Sequence, residues 1–189
     1  PMTTLILAGV ALGAFLSAIT SYLLITSGES FRGMSSWLLG GFSSPKWIHV
    51  WITLPVITLG SLIICLYGRS LNVMQFDEEQ AQQLGINVEQ TKRILLVVAT
   101  LITAAAVSFG GIIGFVGIII PHAVRLIWGP DFRFLLPLSI LCGSIFLILA
   151  DLLARTVMPP TEIPLGIVTA FFGAPFFLYL LKRKKKAVF

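Results

Sequence analysis

Charge is what this 189-residue chain has least of. Only 11% of its residues are Asp, Glu, Lys or Arg, against 57% hydrophobic. A water-facing domain carries about a quarter charged residues, so a soluble globule is excluded and a membrane protein is the expected class. Cysteine is scarcer still. Cys65 and Cys142 both sit inside apolar runs, where a free thiol behaves as a small hydrophobe; two cysteines give neither a disulfide framework nor a metal-ligand spacing. No glycine-rich loop ends in Lys-Ser or Lys-Thr, so the chain has no phosphate cradle of its own. The net charge of +5 does not argue for nucleic acid, because five of the thirteen cations form one run, Lys182-Arg183-Lys184-Lys185-Lys186, directly behind an apolar segment. That is the pattern of a topology anchor at anionic headgroups. Pro1 enters an apolar run within four residues, without a basic n-region or cleavage site, and the opening reads as a cut through a longer protein.

What is present is a series of long apolar runs. Crossing a hydrocarbon core of about 30 Å takes roughly 20 apolar residues at 1.5 Å rise per residue. Six candidate spans follow, at 5–26, 47–67, 94–109, 114–128, 134–153 and 164–181. The third and fourth are separated only by Gly110 and Gly111, which predicts a tight hairpin. The expected fold is all-α, a polytopic transmembrane helical bundle forming one domain over 1–189. With the segment 68–93 in the cytoplasm, Arg69, Lys92, Arg93, Arg125, Arg133 and the basic tail lie inside, and Arg32, Lys46 and Arg155 outside. Ten cations against three satisfy the positive-inside rule and put the C-terminus in the cytoplasm. The outer loop 28–46, with Trp37-Leu38-Leu39, is expected to form a short interfacial helix. Gly9 with Gly13, and Gly110 with Gly114, have the spacing of close helix contact in lipid. Pro121, Pro137 and Pro175 are expected to kink or end helices.

The polar insert at 76–90 stands apart. Four of the eight acidic residues, Asp77, Glu78, Glu79 and Glu89, fall within thirteen positions. Asp77 is placed to cap a helix with Gln80 at the third position, Gly85 to end it, and Asn87 with Gln90 to start the next. A helix, a glycine corner and a second helix result; an ordinary solvated loop is the plain alternative, since glutamates at a helix start need no partner.

Ala81 with Leu84-Gly85 and Arg93 is similar to the cytoplasmic coupling segment of permease subunits of the ABC importers for ferric siderophores, haem and cobalamin. Three further stretches resemble that family in order: Gly114-Phe115-Val116-Gly117 leading to Pro121-His122-Ala123-Val124-Arg125, then Leu149-Ala150-Asp151-Leu152-Leu153-Ala154-Arg155, then Glu162-Ile163-Pro164-Leu165-Gly166 with Gly173-Ala174-Pro175. Asp77 departs from the family, which commonly has glycine there. Family members have ten spans, and this chain resembles the C-terminal six.

The resemblance implies roles. Glu79, Ala81, Leu84, Gly85 and Ile86 would dock a cytoplasmic ABC ATPase dimer and couple its closure to the spans. Arg155 would pair with an acidic residue of a periplasmic or lipid-anchored substrate-binding protein. Ser17, Thr20 and Ser21 on the first span would line the pathway. A second permease subunit, identical or related, and membrane lipid complete the partners. The chain would do no chemistry and bind no metal or cofactor, leaving ATP and Mg to the ATPase, and would sit in a bacterial inner membrane. Ferric siderophore is the first expectation for cargo, with haem or cobalamin behind.

Plainer readings stand beside these. Asp151 and Arg155 are four apart, acid first, and can neutralise each other on one helix face. His122 and Arg125 suit snorkelling at a span end. An ion-coupled secondary transporter would need carboxylates at the bilayer midplane, and only Asp151 is a candidate. A membrane-embedded enzyme would need His122, Asp151 or Glu162 to converge, whereas the predicted topology separates His122 from Glu162.

Overall fold

A computed structural model describes residues 2–26, 33, 37–42, 46–159 and 161–185. Among them the chain is helical and contains no strand. The helices are α1 (Met2–Thr26), α2 (Trp47–Leu66), α3 (Gly68–Met74), α4 (Glu78–Gln83), α5 (Val88–Gly110), α6 (Val116–Trp128), α7 (Phe132–Thr156) and α8 (Leu165–Lys185). The expected all-α bundle is what the chain builds. Most of the expected interfacial helix at 28–46 lies outside the described residues; Trp37 and Leu38 are helical.

The six expected spans differ in kind. α1, α2, α5 and α7 are long and apolar enough to cross a bilayer, whereas α6 and the apolar stretch Leu165–Leu178 of α8 are shorter. At 13 residues, α6 covers about 20 Å, roughly two thirds of a hydrocarbon core. The tight hairpin expected at Gly110-Gly111 is a longer break. α5 continues through Gly110, and residues 111–115 are non-helical before α6 begins. Irregular backbone at membrane depth needs protein cover, and residues 37–42 together with the start of α8 provide it.

The three prolines expected to kink or end helices end none. Pro55, Pro121, Pro137 and Pro175 all lie inside continuous helices. Hydroxyls within the spans bond their own helix: Thr58 to Leu54 O at 2.7 Å, Thr100 to Leu96 O at 2.7 Å and Ser144 to Ile140 O at 2.8 Å. This satisfies a polar group where no water is available.

Packing joins α2 to α5 and α6 to α7, with α8 against α6 and α7 and α2 bridging to α7. Ile120 and Val124 of α6 meet Leu135 of α7 in the core. Among the described residues the expected glycine pairs meet no neighbouring helix. A Cβ at Gly9, Gly13 or Gly114 would meet nothing within 4 Å, and Gly110 faces the Phe42 ring rather than a helix. Close approach occurs instead at Gly60, where a Cβ would lie 2.5 Å from Ile102 Cγ1, and at Gly173, 2.5 Å from Phe115 Cβ. α1 stands out from the rest: its described side chains are exposed except Thr20, which is half-buried.

Candidate functional site

The polar insert folds into a corner whose every turn has a local cause. Asp77 is extended (φ −159°, ψ 128°), and its carboxylate accepts the Glu79 N–H at 3.0 Å, which starts α4. The bond goes to the second helical position rather than the third expected from Gln80. At the other end Gly85 takes φ +82°, a conformation that costs an L-residue roughly 1–2 kcal/mol. Its N–H reaches Gln82 O at 2.9 Å, while the Ile86 N–H reaches Ala81 O at 3.0 Å; this pair of bonds is the Schellman closure of a helix. Asn87 then accepts the Gln90 N–H at 3.0 Å and opens α5. α4 rests on α3, the short helix that continues from α2, and touches α5.

This geometry sorts the expected coupling residues by direction. Ala81 is fully buried and faces the protein itself, anchoring α4 rather than presenting a contact. Leu84 is 71% exposed, and Phe76, just ahead of the cap, is 81% exposed. A Cβ at Gly85 would meet nothing, Glu79 is exposed and Ile86 half-buried. The acids that dominate the sequence here are mostly engaged locally. Lys92 donates to Glu78, Arg93 pairs with Glu89 at 3.0 Å, and Asp77 is the cap. Among the described residues only Glu79 of the four has no cap bond or ion pair for its carboxylate.

Beside the corner lies a contact that the sequence did not disclose. Asn72 of α3 donates from Nδ2 to Asp131 Oδ1 at 2.6 Å and accepts the Phe132 N–H at 2.8 Å. Asp131 also accepts the Arg133 N–H at 2.9 Å, capping α7. That backbone bond first, and the Asn72 amide second, hold the Asp131 carboxyl below its ordinary value of 3.8. The Gly-Pro-Asp run at 129–131 signals the cap; nothing in the sequence signals Asn72.

Arg155 sits at the opposite end of α7 in a four-way cluster. Its Nε donates to Asp151 Oδ2 at 2.8 Å, Nη1 to Glu162 Oε1 at 3.4 Å and Nη2 to the Phe42 carbonyl at 3.1 Å. The expected local pair with Asp151 is present, and two further acceptors join it. The side chain keeps 38% exposure over a cavity of about 140 Å³ bounded by Gly40, Phe42, Asp151 and Glu162. Around the cluster main chains touch. Gly166 donates its N–H to Leu39 O at 3.1 Å, and Gly41 N–H to Gly110 O at 2.9 Å. Gly111 (φ +68°) approaches so near that a Cβ would lie 2.1 Å from Trp37 O. Trp37 in turn donates from Nε1 to Ser108 O at 3.2 Å.

The remaining candidates stay apart. Thr20 and Ser21 on α1 bond the Leu16 and Ser17 carbonyls, each at 2.9 Å, and Ser17 and Ser21 are exposed. Asp151 and Glu162 do meet, on Arg155, but His122 lies in α6 away from that cluster, so the three do not form one centre. Among the described residues no group of three His, Cys, Asp or Glu side chains is placed to hold a metal ion.

Known proteins share both the sequence pattern and the fold of this chain. The profile of the FecCD transport family matches residues 1–183. The chain belongs to this family. The cobalamin import system permease protein of Halobacterium salinarum is 51% identical over 185 residues, covering 98% of this chain and 50% of that one. The hemin transport system permease protein of Yersinia pestis is 36% identical over 98% of this chain and 56% of its own length. A solved metal-chelate type ABC transporter in an inward-facing conformation superposes with a TM-score of 0.86 at 31% identity, over 94% of this chain and 58% of that one. This FecCD chain spans about half the length of the curated relatives it matches.

Proposed function

We propose that this FecCD chain supplies the C-terminal helices of a permease subunit in a binding-protein-dependent ABC importer, powered by a separate ATPase. The reading rests on the exposed apolar tip of the polar corner. Phe76 and Leu84 are open to solvent on a segment between spans, and α4 behind them is fixed by a cap, a Schellman closure and buried Ala81. Exposed apolar side chains on a rigid polar loop suit a partner's cleft, and a rigid element transmits displacement. The tip lies in the cytoplasm, as does the C-terminus, in agreement with the charge asymmetry of the loops. ATP and Mg belong to the ATPase, whose closure biases two packings of the same helices. Two permease subunits and one external binding protein complete the assembly in the cytoplasmic membrane, with Arg155 facing the binding protein.

The cargo is a large metal chelate. Identity of 51% to one cobalamin permease makes cobalamin the first cargo to test, beside haem and ferric chelates, whose permeases are 36–38% identical, as are other vitamin B12 permeases. Proteoliposomes holding the full-length permease, ATPase and binding protein should take up cobalamin in an ATP-dependent manner. Replacing Leu84 with Asp should abolish co-purification of the ATPase while membrane insertion persists. Undiminished co-purification would remove the tip from the ATPase interface.

A further inference from the structure

We infer that Asn72 and Asp131 form the joint through which displacement of the α4 tip reaches α7; this rests on the coupling reading above. α4 packs on α3 and touches α5, which leaves two routes from the tip into the spans. The α5 route runs through the chain itself at residues 84–87, and its one side-chain tie among the described residues is the Lys92–Glu78 pair, with both side chains more than half exposed. Exposed ion pairs are worth little and hold geometry loosely. The α3 route ends on Asn72, whose amide makes two bonds of opposite sense, donating to Asp131 Oδ1 at 2.6 Å and accepting from Phe132 N–H at 2.8 Å. A planar amide held at both its nitrogen and its oxygen fixes orientation as well as distance.

Packing reinforces the joint. A Cβ on Gly68 would lie 3.5 Å from the Phe132 and Arg133 main chain, so the first turns of α3 and α7 are in contact where Asn72 reaches across. Arg125 of α6 places its guanidinium 5.8 Å from the centre of the Phe132 ring, which adds α6 to the same point. α7 has 25 residues, about 37 Å of helix, and Arg155 lies in its last turn. A displacement delivered at Asp131 therefore acts on the helix that bears the cluster at the far end. Asn72 and Asp131 are positioning residues: neither touches cargo or nucleotide.

The test is a charge-exchange cycle in proteoliposomes containing the full-length permease, its ATPase and its binding protein, with cargo uptake and ATP hydrolysis measured together. Asn72→Asp sets two carboxylates against each other and should lower uptake per ATP hydrolysed by about tenfold, with the ATPase still bound. Adding Asp131→Asn restores one donor and one acceptor across the joint and should return the ratio to within about twofold of wild type. Asp131→Asn alone keeps the cap acceptor and should change the ratio little. A purely structural role would lower assembly or melting temperature and leave uptake per ATP unchanged. An unchanged ratio in Asn72→Asp, or no recovery in the double variant, overturns the joint while the coupling reading stands. A wild-type assembly that neither binds an ATPase nor transports overturns both.

Discussion

At the Arg155 end of the bundle main chains touch one another, whereas at the Gly85 end side chains make the joins. Gly111 and Gly166 admit the carbonyls of Trp37 and Leu39 to distances at which a Cβ would sit 2.1 and 2.2 Å away. Arg155 then spans two carboxylates and the Phe42 carbonyl. The Gly85 corner has open space around its glycine, and α3 beside it is tied to α7 through the Asn72 amide and an ordinary van der Waals contact at Gly68. Backbone contacts leave no room for relative movement without unpacking, since interiors are close-packed. Side-chain bonds can transmit or release. One end is built as a clasp and the other as a linkage.

That contrast can be broken most directly at the clasp. Gly111→Ala combines a steric clash with a positive φ and should cost about 3 kcal/mol or more; the detergent-solubilised protein should melt well below wild type or fail to assemble. An ordinary melting temperature would show that residues 37–42 yield easily and that the clasp is soft. Gly85→Val should be milder for folding, costing about 2 kcal/mol of backbone strain, yet should separate ATP hydrolysis from uptake on the proposal that the tip contacts the ATPase. Gly85→Asn tolerates the same backbone and should fold as wild type. Normal uptake by Gly85→Val would end the distinction between a linkage and a plain turn.

Arg155 offers a subtler test. Its exposure limits the stability it confers, so Arg155→Met should cost about 1 kcal/mol or less in melting experiments. Arg155→Glu should weaken binding-protein docking more at low than at high salt, because exposed charges are screened. Equal affinity at all salt concentrations would leave the arginine with only its structural part in the clasp. The smallest effect belongs to pH. Asp131 has its folded pKa lowered below 3.8, so its contribution is complete above that value and is lost as pH falls through the lowered pKa. Below about pH 4 wild type should lose stability that Asp131→Asn, uncharged throughout, does not. Matching acid profiles would remove the carboxylate from the joint.

Much of the corner was legible because its bonds are short-range in sequence. Asp77 caps Glu79, Asn87 caps Gln90 and Gly85 closes a single turn, so each choice reads from a window of a few residues. The acidic cluster misled for the opposite reason: its meaning depends on partners outside that window, and Lys92 lies fourteen residues from Glu78. Ala81, expected at the coupling contact, points inward. The glycine spacings at 9/13 and 110/114 meet no helix among the described residues. Spacing alone does not say which helix lies alongside, and the close contacts fall at Gly60 and Gly173.

The sequence by itself determined that this chain enters a membrane, how many apolar runs it offers and where its polar corner starts and stops. Those follow from hydrophobic transfer and from hydrogen bonds closed within one turn, which act on local segments. Tertiary structure decided that α6 is a short helix behind a non-helical link, that Arg155 is held in a cluster by a carbonyl 113 residues away, and that Asn72 meets Asp131 across 59. Such contacts exist only once helices have chosen neighbours. That choice is made by shape, through glycines that let main chains approach, and not by the composition of any one segment.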